Sequence, residues 1–354
     1  MKKLTREIGS EFWNMELTEI SGLNTEFPHQ FLLTGRTALD FIINDIKSGA
    51  DFTTVYLPSY CCHTMIQPFI ENGIAVLFYE VSFSENQFHY NIDFNAAFDA
   101  VLIMQYFGYH NIFKEQLIER FRRNKKLIIE DATHSWFSSV PYNPLSDYVF
   151  TSFRKWTGLA CGALVLKQNS EPFHYTVELS INKTYIELRR KAAELKQQFI
   201  EEGLGKKEVF LNYFNMAEEM LDRDYRNYGL PLTYIDCIRR LDLDKIRTSR
   251  IKNAAYLTER LKKFSDIETI ELTDRDVPLF VPVFIRNGTR DELRRFLIQK
   301  DIYSPVHWPL SNQHGINNIQ LYNSGMSLVC DQRYTERDME RIIQSISEFY
   351  GGRP

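Results

Sequence analysis

Residues 127–132 read Leu127-Ile128-Ile129-Glu130-Asp131-Ala132, and residues 148–155 read Tyr148-Val149-Phe150-Thr151-Ser152-Phe153-Arg154-Lys155. Each begins as a short apolar run and ends in polar or charged side chains, the profile of a core strand that delivers them at its carboxyl end. Open α/β sheets bind their ligands at that end. An aspartate placed there serves as a metal ligand, a general base, or the anion that keeps a pyridine nitrogen protonated. It serves equally as an N-cap for the next segment. A serine three residues before a lysine can hold a phosphate while the lysine reaches the far end of the same ligand. S-x-x-K also arises by chance about once in a chain of this size, so the order of segments matters more than either one.

Outward from these two runs the α/β pattern continues. Strands are expected at Thr54–Leu57, Ile74–Tyr79, Ala100–Met104, Leu127–Glu130, Tyr148–Ser152 and Ala163–Leu166, several of them apolar throughout, as strands covered on both faces are. Leu39, Ile42, Ile43 and Ile46 fall on one helical face. The charged stretch from Lys183 to Arg226 reads as helical, and Asp242–Phe264 as a further long helix. Beyond it, a strand at Pro278–Ile285, a helix at Arg290–Gln299, a short strand at Tyr303–Val306 and an amphipathic helix at Thr335–Phe349 make a small α/β domain. The expected division is 1–240 for a large domain and 241–354 for a small C-terminal one.

The composition, 44% hydrophobic and 25% charged over 354 residues, is that of a soluble globular protein long enough for two domains. A net charge of -4, with no long block of either sign, points away from nucleic-acid arms and membrane patches and toward small-molecule chemistry. The basic start Met1–Arg6 has no apolar run behind it and no stretch approaches membrane-spanning length, so a cytoplasmic location is expected. Cys61, Cys62, Cys161, Cys237 and Cys330 are odd in number and form no C-x-x-C pair, which argues for free thiols rather than a disulfide scaffold or a zinc site.

A third segment, Leu33-Thr34-Gly35-Arg36-Thr37-Ala38-Leu39, meets a helix through glycine and exposes its first N–H groups at the positive helix end, a setting that suits a phosphate. Glycine and threonine are also ordinary capping residues. What raises the phosphate reading is the sequence of parts: a phosphate-type turn, an aspartate at a strand end, then Ser-x-x-Lys at the next. A Schiff-base lysine must be partly deprotonated, which burial or a neighbouring cation such as Arg154 promotes.

In these segments the chain resembles the DegT-like sugar aminotransferases, a branch of the fold-type-I pyridoxal phosphate enzymes. Thr34-Gly35-Arg36-Thr37-Ala38 is similar to the family's S-G-T-x-A phosphate turn, and Glu130-Asp131-Ala132-Thr133-His134 to its E-D-A-A-Q. Ser152 and Lys155 match its serine and Schiff-base lysine, Tyr303–Pro309 its active-site histidine loop, and Ser327–Met339 its S-L-P segment with the T-E-x-D helix. The resemblance implies an α/β fold with a large, mostly parallel mixed sheet and a small C-terminal α/β domain. It implies pyridoxal 5'-phosphate as cofactor, with Asp131 pairing the pyridine nitrogen and Lys155 as attachment point and general base. It also implies a homodimer, and transfer of an amino group, expected from glutamate, to a nucleotide-linked keto-sugar in surface polysaccharide or related glycan synthesis.

Several positions depart from the family. Cys62 stands where the family places an aromatic ring over the cofactor, with His63, Tyr60 or Phe107 as substitutes, and His134 replaces the glutamine. Ser152 and Lys155 are two residues closer than usual. The glycine-rich stretch after the lysine is reduced to Gly158-Leu159-Ala160-Cys161-Gly162-Ala163, and the cross-subunit N-Y-R segment has become Tyr228-Gly229-Leu230-Pro231-Leu232. Arg154 is a candidate for phosphate or substrate charge and His307 for substrate contact, each with a packing role as the alternative. A sugar dehydratase, an aminotransferase of non-sugar substrates and a non-catalytic binding protein keeping the fold are the competing readings. A dehydratase of this family is expected to carry histidine at the lysine position.

Overall fold

The computed structural model describes residues 7–19, 26–309 and 319–351, so Met1–Arg6 lies outside the described residues. The chain divides into two compact units, one holding Glu11–Asp51 and Tyr148–Leu243, the other Glu7–Ser10, Phe52–Asp147 and Asp244–Pro354.

In the first unit, strand Ala163–Lys167 pairs antiparallel with His29–Leu32 on one side and with Tyr148–Ser152 on the other. Both Tyr148–Ser152 and Ala163–Lys167 are buried along their whole length, as their apolar runs require. The helix Gly35–Gly49 packs on these two strands. It starts where Thr34 leaves the helical conformation, and the Thr34 side chain accepts from the Thr37 N–H. The helices Lys183–Gln197 and Lys207–Arg223 pack against each other around Ala192, Phe210 and Phe214.

In the second unit, Leu127–Asp131, Ala100–Met104, Thr54–Pro58 and Ala75–Ser84 lie side by side in that order and all parallel, and Gln87–Asn91 returns antiparallel along Ala75–Ser84. Ala100–Met104 is buried at every residue. Ala75–Ser84 instead alternates between covered and open positions over much of its length, the period-2 signature of a strand covered on one face. A smaller antiparallel sheet orders Ile267–Thr269, Val281–Ile285 and Gly325–Leu328. Leu243–Leu261, Arg290–Gln299 and Glu336–Gly351 are the longer helices that accompany it, and Ile8–Gly9 pairs parallel with Ile302–Tyr303.

Two expected strands are shorter than their apolar runs. The strand expected from Pro278 begins at Val281, because the carbonyls of Pro278 and Leu279 are taken by the Arg250 guanidinium and the Leu279 N–H by Phe107. The strand expected over Tyr303–Val306 is Ile302–Tyr303. Pro305 carries no N–H for a ladder, and the carbonyls of Ser304 and Pro305 go to Arg294 and Ser327. Among the described residues no helix is long and apolar enough to cross a membrane, and no group of three His, Cys, Asp or Glu is placed to hold a metal ion.

Candidate active site

The first unit assembles the hydroxyl groups of the phosphate-type turn. Thr34 Oγ1 lies 3.3 Å from the Thr37 N–H and 3.0 Å from Thr37 Oγ1. Gly35 faces Ser152: a Cβ built on Gly35 would lie 3.4 Å from Ser152 Cβ and 3.9 Å from its Oγ. Thr34, Thr37 and Ser152 are all buried. Two backbone bonds lock the turn to the lysine segment, since Gly162 N–H donates to Leu33 O at 2.8 Å and Phe153 N–H to Gly162 O at 2.9 Å. Gly162 holds φ +143, a conformation that favours glycine. The reduced glycine stretch thus still joins the two segments that the sequence places about 120 residues apart. The Tyr228–Leu232 stretch lies beside the same turn, with the Leu33 N–H donating to Tyr228 O at 3.0 Å.

Lys155 ends a short 3-10 turn, Phe153–Lys155, that follows directly from strand Tyr148–Ser152, and its side chain is exposed. The turn is tied from behind. Gly158 carries no side chain because the Asn14 carbonyl oxygen would lie 2.3 Å from a Cβ there. Arg154 Nη1 donates to Tyr185 Oη at 2.5 Å and to Glu218 Oε1 at 2.8 Å, and Arg189 bridges Glu218 and Glu11 at 3.2 and 3.0 Å. Burial works against the Arg154 charge, but Glu218, Tyr185 and Glu11 outweigh it and hold the guanidinium above its ordinary value. For Glu11, burial pushes the carboxyl up and the charges of Arg189, Arg154 and Lys155 pull it down further, to about 2. Arg36 donates to Leu221 O at 3.0 Å and to Asp222 Oδ1 at 2.9 Å. The structure therefore spends both candidate arginines, Arg36 and Arg154, on acidic partners within the unit.

The second unit carries the aspartate and the histidines. Asp131 ends its strand opposite Met104, is 5% exposed, and accepts the Thr133 N–H on Oδ1 at 2.8 Å. Glu130 and Lys114 are wholly buried and paired at 2.6 Å, and Glu115 stands 3.2 Å from the same ammonium. The other Glu130 oxygen accepts from the Asn143 N–H at 2.9 Å and the Ser146 hydroxyl at 2.7 Å. These bonds fix the strand one residue before Asp131. His134 is 5% exposed and accepts the Phe107 N–H on Nδ1 at 3.2 Å, with the Phe107 ring stacked 5.3 Å away. His307 lies 6.3 Å from His134 ring to ring, and its Nδ1 bonds Ser327 Oγ at 2.8 Å. Cys62 caps the helix His63–Glu71 without a side-chain bond to its backbone, and its thiol sulfur accepts from Thr64 Oγ1 at 3.1 Å.

Of the three rings weighed as substitutes at the Cys62 position, His63 is exposed, Phe107 packs on His134, and Tyr60 is buried with its hydroxyl donated to the His307 carbonyl. Glu11, Glu218 and Tyr185 around the lysine turn, and Lys114 behind Glu130, were not singled out from the sequence. Their partners are distant in the chain, and no local pattern marks them. Trp308 had a signal, its place next to His307 in the loop already quoted.

No protein-family model matches the sequence, and no curated protein sequence matches it either. Solved structures do. Helicobacter pylori PseC, an aminotransferase involved in the biosynthesis of pseudoaminic acid, is similar with a TM-score of 0.67 at 14% identity, over 99% of this chain and 100% of that one. The E. coli GDP-4-keto-6-deoxy-D-mannose-3-dehydratase gives 0.63 at 15% identity, over 90% and 87%. A DegT DnrJ EryC1 StrS aminotransferase from Brucella abortus gives 0.59 at 17% identity, over 91% and 86%. At such identities the likeness shows the fold alone, the α/β fold that these solved structures share.

Proposed function

We propose that the chain is a pyridoxal phosphate-dependent aminotransferase that moves an amino group, from glutamate, to a nucleotide-linked keto-sugar in the synthesis of a surface polysaccharide or related glycan. The observation that carries this reading is the cradle at Gly35. Gly35 opens a helix directly against Ser152, with the hydroxyls of Thr34 and Thr37 beside it, the kind of groups that a phosphate monoester uses. The same reading gives roles to two further groups. Asp131, buried at a strand end, would hold a proton on the pyridine nitrogen. Lys155, exposed at the end of its turn, would be the attachment point and the base that carries a proton to and from substrate carbon. When bound, pyridoxal phosphate supplies the electron sink that makes a C–H bond beside nitrogen acidic.

Glu130, anchored by Lys114, Asn143 and Ser146, would keep Asp131 from turning away, and the Arg154–Glu218 pair would hold the lysine turn in place. Cys62, His63 and His134 are proposed to line the cofactor, and His307 the substrate. The reading further takes the protein as a cytoplasmic homodimer with a large domain over 1–240 and a small one over 241–354.

The similarity to a dehydratase favours a second reading, loss of water from a sugar. The lysine at position 155, where a dehydratase of the family is expected to carry histidine, speaks for transamination. The deciding experiment is the absorption spectrum of the protein with pyridoxal phosphate, before and after borohydride, beside Lys155→Ala. A visible band trapped by reduction on Lys155 and lost in the variant is expected. A wild type without the band sinks the cofactor reading. A panel of nucleotide-linked keto-sugars with glutamate that releases no 2-oxoglutarate sinks the substrate reading.

A further inference from the structure

The chain has four tryptophans, and three are core residues: Trp13, Trp136 and Trp156 are 3%, 8% and 0% exposed. Trp308 is the exception, only half-buried. Its indole is close to parallel with the rings of His134 and Phe107, at 5.7 Å and 16° from the first and 6.3 Å and 17° from the second. Tyr60 and His307 stand steeply against it at 5.1 and 5.5 Å. This cluster is braced on every side that the second unit supplies. Tyr60 donates to the His307 carbonyl, His307 is tied to Ser327, and the Phe107 N–H is aimed at His134 Nδ1.

That aim is costly, which marks it as built. Phe107 and Gly108 hold φ +56 and +85, and a Cβ on Gly108 would lie 2.1 Å from the Val277 carbonyl oxygen. Because Nδ1 of His134 accepts a hydrogen bond, the proton of the neutral ring is on Nε2, and the imidazole is a donor there. The result is a half-buried indole held beside an imidazole of fixed tautomer. A pyranose has the complementary shape, a face of C–H bonds that packs on an aromatic ring and a rim of oxygens that accept hydrogen bonds. A short keto acid has no such flat C–H face.

We propose that Trp308 is the seat of the acceptor's sugar ring and so selects a cyclic sugar over an open-chain keto acid. This rests on the aminotransferase reading and names its specificity determinant. The test uses the full chain loaded with pyridoxal phosphate, titrated with a nucleotide-linked hexose that lacks the ketone. Binding is read by calorimetry and by tryptophan fluorescence for the wild type, Trp308→Phe and Trp308→Ala.

Saturable quenching is expected in the wild type and, because the other three tryptophans are buried, not in Trp308→Phe. Trp308→Ala should bind about tenfold more weakly. Its KM for the keto-sugar should rise by a similar factor while kcat and the KM for glutamate hold, and Trp308→Phe should recover most of the affinity. Quenching that persists in Trp308→Phe, or Trp308→Ala binding as tightly as the wild type, overturns the proposal. If the wild type aminates a keto-sugar in that case, only the seat is wrong. If it neither binds nor converts any nucleotide-linked sugar, the sugar-substrate reading has failed and the seat falls with it.

Discussion

Replacing Lys114 by methionine should remove about 4 kcal/mol of stability. Both members of the Lys114–Glu130 pair are 0% exposed and meet at 2.6 Å, and removing one partner of such a pair costs roughly 3–5 kcal/mol because it strands the other charge. Methionine fills most of the lysine's volume, so little of the loss comes from a cavity. Glu130 would keep the Asn143 N–H and the Ser146 hydroxyl, and Glu115 would lose its cation as well. Against a stability of about 5–15 kcal/mol for an ordinary domain, this is a large fraction. Equilibrium urea unfolding measures it.

A second arm uses pH. Burial lowers the Lys114 pKa, and Glu130 and Glu115 outweigh burial and raise it above its ordinary value of 10.5. A raised lysine contributes its full stability below the unfolded value and loses it as pH rises through the folded one, so this alkaline loss should be absent from Lys114→Met. A single variant that costs under about 1 kcal/mol would refute the reasoning.

Gly35→Ala should fold normally, since its nearest new contact is an ordinary 3.4 Å and alanine suits a helix better than glycine by up to ~1 kcal/mol. It should nonetheless lose pyridoxal phosphate affinity, because the methyl occupies the proposed phosphate space. Equal affinity for the cofactor, measured by equilibrium dialysis, would place the phosphate elsewhere. Glu11→Gln should lower stability near neutral pH by about 1 kcal/mol, a figure reduced for the 43% exposure of the side chain. A carboxyl held near 2 against an ordinary 4.5 contributes stability above the unfolded value and loses it as pH falls toward 2. The wild-type and variant acid-unfolding curves should therefore converge at low pH, and parallel curves would count against the ion-pair account.

The parts of the fold that could be read directly were those whose signal is local. Arg290–Gln299 has the bounds its amphipathic pattern and acidic first turn dictate, and Ala100–Met104 is the buried strand its unbroken apolar run implies. The helix His63–Glu71 was not read, and its start explains why: Cys62 caps it without a side-chain bond, and Pro68 sits inside it. The helix Ile112–Arg123 does carry a local signal. Asn111 caps it through two N–H bonds, at Phe113 and Lys114, which is a standard start signal. In the candidate site, Thr34, Gly35, Thr37 and Ser152 were legible because a turn and a strand end announce them. The commitment of Arg154 was not, because Tyr185 and Glu218 lie 31 and 64 residues further along the chain. Position in sequence identified which groups carry charge, and only the packing showed which charges are already spent.

The short parallel pairing of Ile8–Gly9 with Ile302–Tyr303 also sets a schedule for biosynthesis. The Gly9 N–H donates to the Tyr334 hydroxyl across 325 residues, so this strand is translated well before its partners. At translation rates of about 5–20 residues per second this is a wait on the order of tens of seconds. During that interval Ile8, fully covered in the finished protein at 0% exposure, has no native neighbour strand. The nascent chain therefore carries that edge unpaired until Ile302 and Tyr303 have been made.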